Sequence, residues 1–219
     1  HLNHGIRGRA ADQDAVFVKE LAWRLNLRCE QGRADIPRMA KERGVSLEMA
    51  ARQSRYEFLI RTARAVGANC VATAHTADDQ VETVLLKLTR GAGPQGVSGI
   101  PYCAERHGLR VVRPCRDVTH LEAVRFLRSH GLAWREDKSN LDMTFLRNRV
   151  RHQVLPLLES RLNPQVRRAI LRTAELLREE NEWLDSIARG LWGECAEGAK
   201  RDKLNVEKLN GLPLAARRR

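Results

Sequence analysis

The sequence predicts an α/β protein with a parallel-sheet, Rossmann-like domain followed by a helical arm. Two short apolar runs, residues 70–74 and 109–112, are typical of buried strands. Amphipathic segments lie before, between and after these runs, and such alternation is typical of βαβ units whose strands pair in parallel. A further helical pattern, which starts at residue 163, is too long for a crossover between neighbouring strands.

The first two helices are predicted from side-chain spacing and from end signals. Residues 12–27 place aliphatic side chains near one stripe, and Asp12 and Asp14 suit the N-terminus of a helix there. Ser46 is a good N-cap for a second helix, which continues to about residue 66 and ends at Gly67.

The first apolar strand is followed at once by polar residues. His75 comes directly after the run at 70–74, and a helix is predicted from Thr76 or Asp78 to Arg90. Ligands bind parallel sheets at the carboxyl ends of their strands. We therefore place the candidate site at His75 and the turn after it.

The second strand is followed by a helix with clear signals at both ends. Thr119 and Glu122 form a capping box for a helix over residues 119–129, and Gly131 takes the position that follows a helix C-terminus. This helix continues the alternation that predicts the parallel sheet.

The helical arm begins at Asn163 and Pro164, an N-cap followed by a proline in the first helical position, and continues to about Gly190. At about 1.5 Å per residue such a helix is roughly 40 Å long. We divide the chain into an α/β domain, a helical arm and the start of a further element. These parts cover residues 1–144, 145–190 and 191–219.

The chain of 219 residues is strongly basic, with 39 Lys and Arg against 27 Asp and Glu and a formal net charge of +12. Of the 39 basic residues, 32 are arginines, and arginine is the bidentate donor to phosphate. An RNA or nucleotide partner explains this excess, and so does a GC-rich genome that encodes arginine in place of lysine. The aromatic content of 5% argues against a nucleic-acid module built on stacking.

Composition excludes several classes of protein. The five cysteines never form a CxxC pair, which argues against a disulfide scaffold, a zinc ribbon or a cysteine-held cluster. No apolar run approaches the roughly 18 residues of a membrane span, and the first residues do not follow the pattern of a signal peptide. We expect a cytoplasmic protein that does not enter the membrane.

Carboxylates cluster after the first strand. Asp79 and Glu82 are three residues apart and Asp78 and Glu82 are four apart, so one helix face carries them. Two carboxylates at the end of a strand suit an ammonium group or Mg²⁺. The alternative is that they stabilise the helix N-terminus, with Thr76 and Asp79 as a capping box. We favour this alternative for Asp78 and a ligand site for His75, Asp79 and Glu82.

A glycine-rich stretch, residues 90–96, formally matches Gly-x-Gly-x-x-Gly. It follows a helix instead of a strand, contains Pro94 and opens no predicted helix, so it is not a dinucleotide-binding motif. We expect a flexible loop beside the active cleft. Arg90 at the start of this loop is either an anion contact or a surface residue.

Two groups of arginines are candidate phosphate contacts. Arg52 and Arg55 share one side of a predicted helix with Tyr56, a pattern typical of a solvated basic face. Arg147 and Arg151 are four residues apart with no acid between them. Because like charges so placed repel, a phosphate-bearing ligand is the simplest compensation; the alternative is an exposed basic helix start.

Taken in order, several segments resemble those of the tRNA(Ile)-lysidine synthases, a family of N-type (PP-loop) ATP pyrophosphatases. The resemblance extends from residue 1 to about residue 190, and its specificity comes from the ordered set and not from one motif. The matching segments are residues 1–7, 46–56, 72–83, 90–93, 113–114, 136–140, 147–151 and 155–156.

The resemblance implies an adenine nucleotide alpha hydrolase-like fold and a ligase reaction on tRNA. ATP, together with Mg²⁺, would adenylate the C2 oxygen of cytidine 34 in the CAU anticodon of tRNA(Ile) and release pyrophosphate. The ε-amine of L-lysine would then attack C2 and expel AMP, which gives lysidine.

The resemblance implies that the α/β domain is N-terminally incomplete and that residues 191–219 begin a tRNA-binding region. It also assigns roles to residues of this chain. It places the lysine site at His75, Asp79 and Glu82, and it gives Asp79, Glu82 and Arg55 catalytic roles. No metal site held by protein side chains is expected. The phosphates of ATP or tRNA would be contacted by Arg52, Arg55, Arg90, Arg147, Arg149 and Arg151.

One departure from the family pattern concerns the PP-loop, a Ser-Gly-Gly-x-Asp-Ser turn that this sequence does not contain. Because the amides of such a loop cradle pyrophosphate, we expect these residues alone to be inactive. Two other functions stay open: another PP-loop tRNA modifier such as a thiolase, and a non-catalytic tRNA-binding relic. The oligomeric state is open as well, and a homodimer is one of the alternatives.

Overall fold

The structure, a computed structural model, describes residues 1–197 and 203–219. These residues form two compact units that the chain enters more than once. The first unit contains His1–Ala74, Tyr102–Cys115 and Val124–Asp137, and the second contains His75–Pro101, Arg116–Ala123 and Lys138–Arg219. Within the described ranges, no helix is both long enough and apolar enough to cross a membrane.

Helices account for most of the regular structure. The α-helices are α1 (Arg9–Arg24), α2 (Ile36–Arg43), α3 (Leu47–Ala65), α4 (Ala77–Leu88), α5 (Pro94–Val97), α6 (His120–Ser129), α7 (Leu146–Arg149), α8 (Leu155–Arg161), α9 (Val166–Cys195), α10 (Val206–Gly211) and α11 (Leu214–Arg217). A 3-10 turn covers Lys138–Leu141, and a π-helical turn covers Val150–Val154.

Seven short strands form three small sheets in the described part of the chain. The strands are β1 (Leu2–Asn3), β2 (Gly32–Arg33), β3 (Cys70–Ala72), β4 (Cys103–Arg106), β5 (Leu109–Val112), β6 (Ala196–Glu197) and β7 (Lys203–Leu204). In the first unit β1 and β2 pair in parallel, and β3 pairs in parallel with β5, which also pairs antiparallel with β4. In the second unit β6 pairs antiparallel with β7.

The core of the first unit lies between α3 and the sheet of β3 and β5. Tyr56 and Ile60 on α3 pack with Val71 on β3 and with Leu109 and Val111 on β5, and all five are buried. Burial of such side chains stabilises the unit by roughly 1.5–3 kcal/mol each. This packing makes α3 the helix that covers one face of the parallel pair.

One prediction for α3 is wrong. Tyr56 does not share an exposed side with Arg52 and Arg55, because its side chain is 6% exposed and belongs to the core. The two arginines are exposed. The guanidinium of Arg106 lies 4.2 Å from the centre of the Tyr56 ring, and that of Arg52 lies 5.7 Å from it, so cation–π contacts cover the edge of this core.

The core of the second unit joins α4 to the helices that follow residue 145. Val81 of α4 packs with Val150 and Leu155, and all three are buried. Leu85 and Leu86 of α4 and two residues of α9, Ile170 and Leu171, complete this cluster. The packing holds α4 against the π-helical turn and against α9, which fixes the polar face of α4 relative to the arginines of that region.

The predicted α/β class with a parallel sheet is confirmed, and several elements match closely. The Ser46 hydroxyl accepts a hydrogen bond from the Met49 amide (3.2 Å) as the cap of α3, and Gly67 ends that helix with φ +70°. The strand predicted at residues 109–112 is β5. In the box predicted for α6, Glu122 Oε2 accepts from the Thr119 amide at 2.8 Å.

Other boundaries differ from the prediction. The first helix begins at Arg9, three residues before the predicted start, and ends at Arg24. The long helix begins at Val166 and continues to Cys195, past the predicted end at Gly190. Asn163 does not cap it directly, because its side chain accepts from the Gln165 amide (2.8 Å) in the turn ahead of the helix. The division into three parts, with boundaries after residues 144 and 190, stays a prediction.

Candidate functional site

The first turn of α4 carries the carboxylates that the sequence singles out. Asp79 Oδ2 accepts hydrogen bonds from the Thr76 amide at 2.7 Å and from the Thr76 hydroxyl at 3.0 Å. The Asp79 amide donates to the same hydroxyl at 3.3 Å. The capping-box geometry is therefore present, and it holds one oxygen of Asp79 at the helix N-terminus, where the dipole favours negative charge.

Four charged side chains then form one cluster, which we call the carboxylate–arginine cluster: Asp79, Glu82, Arg147 and Arg151. Arg147 Nε donates to Glu82 Oε2 at 2.5 Å, and Arg151 Nε donates to Glu82 Oε1 at 2.6 Å. Arg147 Nη2 also donates to Asp79 Oδ1 at 2.9 Å, and Arg151 Nη2 lies 3.9 Å from that oxygen. Both oxygens of Glu82 are thus bound by guanidinium groups, and the cluster has no net formal charge.

The members of the cluster differ in their exposure. The Glu82 side chain is 0% exposed, that of Asp79 is 22% exposed, and each arginine is 32% exposed. Burial opposes the charged form of Arg151, but the hydrogen bond to Glu82 and the neighbouring carboxylates outweigh it, so the pKa of Arg151 is raised above its ordinary value. Asp79 is the carboxylate of the cluster that a ligand can reach.

Arg147 and Arg151 reach Glu82 together because of the backbone between them. Arg147 lies on α7 and Arg151 lies in the π-helical turn that follows it; such turns are rare and frequently occur at functional sites. The side-chain amide of the buried Asn148 donates through Nδ2 to the backbone carbonyls of Ser139 and Asp142, each at 2.8 Å. These bonds tie the loop before α7 to the helix that carries the arginines.

The charges of Arg147 and Arg151 are compensated within the chain. No acid lies between them in the sequence, but Glu82 accepts a hydrogen bond from each, so a phosphate ligand is not needed to compensate them. The acid lies on another helix, 65 residues from Arg147 along the chain, so local spacing could not reveal it. Their predicted contact with phosphate is untested and stays a prediction.

The contacts of Asp78 stabilise the fold, in line with the structural role that the sequence favours for this residue. Its Oδ1 accepts from Arg167 Nη1 at 3.1 Å, and its Oδ2 accepts from the His120 amide at 2.7 Å. Arg167 also donates to Glu159 at 2.7 Å. Asp78 therefore links the start of α4 to the starts of α6 and α9, a role that sequence spacing alone did not indicate.

The remaining predicted site residues have these positions. His75 is half-buried and directly precedes the cap of α4. Arg90 and Arg149 are exposed, and the described residues offer their side chains no ion pair. Arg55 lies in the first unit, where Arg55 Nη2 is 3.5 Å from Nε2 of His4. The functional roles of all these residues stay predictions.

Comparisons with known proteins identify the family of the chain. A protein-family model described as the PP-loop domain matches residues 1–158, which is well over half of the chain. The chain belongs to the PP-loop domain family. Among solved structures, this PP-loop chain is similar to a U34-tRNA thiolase, NcsA, from Methanococcus maripaludis with its [4Fe-4S] cluster. The match has a TM-score of 0.61 and 16% identity and covers 81% of this chain and 61% of that chain; at this identity it shows the fold alone.

Curated relatives of the PP-loop chain include several proteins named tRNA(Ile)-lysidine synthase. The protein of that name from Dehalococcoides mccartyi is 41% identical over 214 residues, 95% of this chain and 45% of its own length. The one from Thermus thermophilus is 45% identical over 188 residues, 86% of this chain and 36% of its own length. The PP-loop chain spans about half the length of the curated relatives that it matches.

The glycine-rich stretch of this PP-loop domain differs from its prediction. It opens α5 at Pro94, so the expectation of a flexible loop without a helix is wrong. The buried side-chain amide of Gln80 binds the backbone just after the stretch, with Nε2 donating to the Ser98 carbonyl (2.9 Å) and Oε1 accepting from the Ile100 amide (2.6 Å). A Cβ on Gly99 would collide with this amide group. Sequence reasoning missed Gln80, whose signal is a polar residue on the apolar stripe of α4.

The PP-loop chain offers poor ligands for a metal ion at α4. Across residues 1–197 and 203–219, no group of three His, Cys, Asp or Glu side chains is arranged to hold a metal. The oxygens of Asp79, Glu82 and Asp78 already accept hydrogen bonds from arginines or backbone amides. Mg²⁺ prefers carboxylate oxygens and water in octahedral geometry, so the α4 carboxylates in this arrangement do not fit it.

Proposed function

We propose that this chain is the PP-loop part of an enzyme that attaches L-lysine to C2 of cytidine 34 in the CAU anticodon of tRNA(Ile). In the first step the C2 oxygen attacks the α-phosphorus of ATP and pyrophosphate leaves. In the second step the neutral ε-amine attacks C2, the C2–O bond breaks, and AMP leaves with the electron pair. The amine loses a proton, and lysidine forms.

One observation carries the proposal: 39–45% identity to proteins named tRNA(Ile)-lysidine synthase, over 86% to 100% of this chain. The net charge of +12 is consistent with a polyanionic RNA substrate, and a tRNA substrate is consistent with a cytoplasmic protein. A thiolase is less favoured, because the five cysteines form no CxxC pair. Homodimerisation stays a prediction.

The lysine site is proposed at the N-terminus of α4. Asp79 is the accessible carboxylate of the carboxylate–arginine cluster and would bind the ε-ammonium group, with the half-buried His75 next to the same turn. Glu82 would contribute to this site without contacting the ligand, because its side chain is fully buried. We keep Arg55 as a residue for the adenylation step on the strength of the family resemblance.

ATP is a substrate in this reaction, and its phosphates need donors that are not already neutralised. The exposed guanidinium groups of Arg52, Arg55, Arg90 and Arg149 fit this requirement. Arg147 and Arg151 fit it less well, because each donates its Nε to Glu82. Mg²⁺, if it accompanies ATP, would need ligands other than the α4 carboxylates.

The test is incorporation of labelled L-lysine into a CAU-anticodon tRNA(Ile) transcript with ATP and Mg²⁺. It is made with this chain and with a version extended by a PP-loop segment and the remaining length of the relatives. Lysidine formed by the extended version supports the proposal. A thiolated nucleoside in place of lysidine would overturn it, and tight tRNA binding without any modified product would favour a non-catalytic relic.

A pair of variants locates the lysine site. Asp79→Asn should raise the KM for lysine by at least tenfold, while the affinity for tRNA changes little. Asp78→Asn is the matched control, because it removes the same charge from the neighbouring residue. The carboxylate of Asp78 is bound by Arg167 and by a backbone amide. Equal losses of lysine use in both variants would count against Asp79 as the amine contact.

A further inference from the structure

Arg147 and Arg151 lie next to Asp79, the accessible carboxylate of the carboxylate–arginine cluster, and they are held there by the buried Glu82. Given the proposed function, on which this inference rests, we propose that these two arginines lower the pKa of the substrate ε-amine when it binds at Asp79. They are positioning residues that make lysine a nucleophile, and Glu82 is the residue that holds them in place.

Geometry limits where an amine can bind. Both oxygens of the fully buried Glu82 are bound by guanidinium Nε groups at 2.5 and 2.6 Å, which leaves no approach for a ligand. Asp79 Oδ2 is bound to the Thr76 amide and hydroxyl. From the described residues, Asp79 Oδ1 receives one hydrogen bond, donated by Arg147 Nη2 at 2.9 Å. An amine at this oxygen would therefore lie within a few ångströms of a guanidinium group.

Charge decides the protonation state of that amine. Free lysine has a side-chain pKa near 10.4, so it is an ammonium ion at neutral pH and cannot attack. Two bare carboxylates would raise this pKa further, because an opposite charge favours the charged form. The carboxylate–arginine cluster has no net formal charge, and the partial positive charge of the α4 N-terminus adds to it. An ammonium ion at Asp79 is therefore less favoured than it would be beside two unpaired carboxylates, so the pKa of the bound amine is lowered.

The other charged and titratable groups near this turn do not reverse the balance. Asp78 is paired with Arg167, which also binds Glu159, and these groups lie on α4, α9 and α8. His152 of the π-helical turn binds the Asn140 carbonyl, and α5 carries no titratable side chain. The charged and titratable residues of this region also include His75 and His120.

The chemical consequence is that the bound lysine releases one proton. The bound ammonium ion loses a proton to solvent at the exposed edge of Asp79, and the amine lone pair becomes available. Attack on C2 of the adenylated cytidine forms the C2–N bond, and the C2–O bond breaks with AMP as the leaving group. In the absence of the two positive charges the same amine would remain protonated over a wider range of pH.

Calorimetry of L-lysine binding tests this proton directly. Binding to the full-length protein is measured near pH 9 in two buffers with different ionisation enthalpies, which gives the number of protons released per lysine. We expect release by the wild-type protein and clearly less release by Arg147→Gln and Arg151→Gln. Arg168→Gln is the matched control, because it removes the same charge from an exposed residue of α9 and should release as many protons as the wild type.

A pH profile gives the kinetic counterpart. The rate of lysine transfer at saturating lysine should rise with a midpoint about 1 unit higher in Arg147→Gln than in the wild type. The variant should thus be about tenfold slower at neutral pH and should recover at high pH. Arg147→Lys, which keeps the charge, should restore most of the wild-type midpoint. A merely structural role would lower the rate equally at every pH.

The outcomes separate this inference from the proposed function. Lysine binding with equal proton release in the wild type and both arginine variants would overturn the inference and leave the proposed function intact. No lysine binding by the full-length wild-type protein would overturn both. Loss of proton release in Arg168→Gln as well would also refute the inference, because the effect would then be one of overall charge.

Discussion

Replacing the buried Glu82 by glutamine should destabilise the second unit more than the removal of an exposed charge does. The substitution keeps the volume of the side chain, but it removes the charge that two guanidinium groups share at 2.5 and 2.6 Å. The side-chain amide nitrogen of the new glutamine is a hydrogen-bond donor, and it would face an arginine Nε that is also a donor. Breaking a buried ion pair from one side costs about 3–5 kcal/mol. Because each arginine is 32% exposed, water compensates in part, and we expect about 2–3 kcal/mol.

Urea unfolding measures this loss, with Glu182→Gln as the matched control. Glu182 forms an ion pair with Arg178 that is also 2.5 Å long, but its side chain is 66% exposed, so its loss should cost under about 1 kcal/mol. In a chain of this size the loss at Glu82 corresponds to a fall in Tm of about 4–12 °C. Equal stability of the two variants would refute the reasoning. The double variant with Arg147→Gln should lose less than the sum of the single losses.

Three further predictions concern other parts of the chain. Gly99→Ala should cost about 2–4 kcal/mol in urea unfolding, because Gly99 has φ +82° and a Cβ would meet the Gln80 amide; a stable variant would mean that Gln80 moves freely. Thr119→Ala should cost about 1 kcal/mol through loss of the α6 capping box, and thermal unfolding would detect it. Burial, Arg55 and Arg7 lower the pKa of His4, so the unfolded state binds its proton more readily, and the unfolding free energy should fall as pH drops below about 6.5. His4→Gln should reduce this fall, which a pH series of urea titrations would show.

Much of the fold could be predicted because its signals are local. The cap at Ser46, the left-handed Gly67 and the box of Thr119 and Glu122 each involve residues within a few positions of one another, and each is present. The strand β4 was missed because its turn uses an unusual pair. His107 and Gly108 have φ of +50° and +77°, as in the tight turns that join antiparallel strands, but asparagine is far more common than histidine at the first position.

The ends of α9 could not be predicted from spacing. Gly190 reads as a stop signal, since glycine is frequent just beyond helix C-termini. In the structure Gly190 lies inside the helix, which continues to Cys195, a residue that is only 2% exposed. The burial of Cys195 indicates that packing beyond the glycine offsets its low helix propensity. Tertiary contacts of this kind are invisible to a periodicity argument.

In the candidate site, too, local contacts could be predicted from the sequence and distant contacts could not. The pair of Asp79 and Glu82 was found because helical spacing places them on one face, and the pair of Arg147 and Arg151 was found in the same way. What sequence spacing could not give is that each pair is the partner of the other, 65 to 69 residues away. Two acids at i,i+3 and two bases at i,i+4 on different helices are complementary, and repulsion within each pair is relieved when the helices pack. The charge for which spacing alone predicts a phosphate is thus balanced within the chain by Asp79 and Glu82.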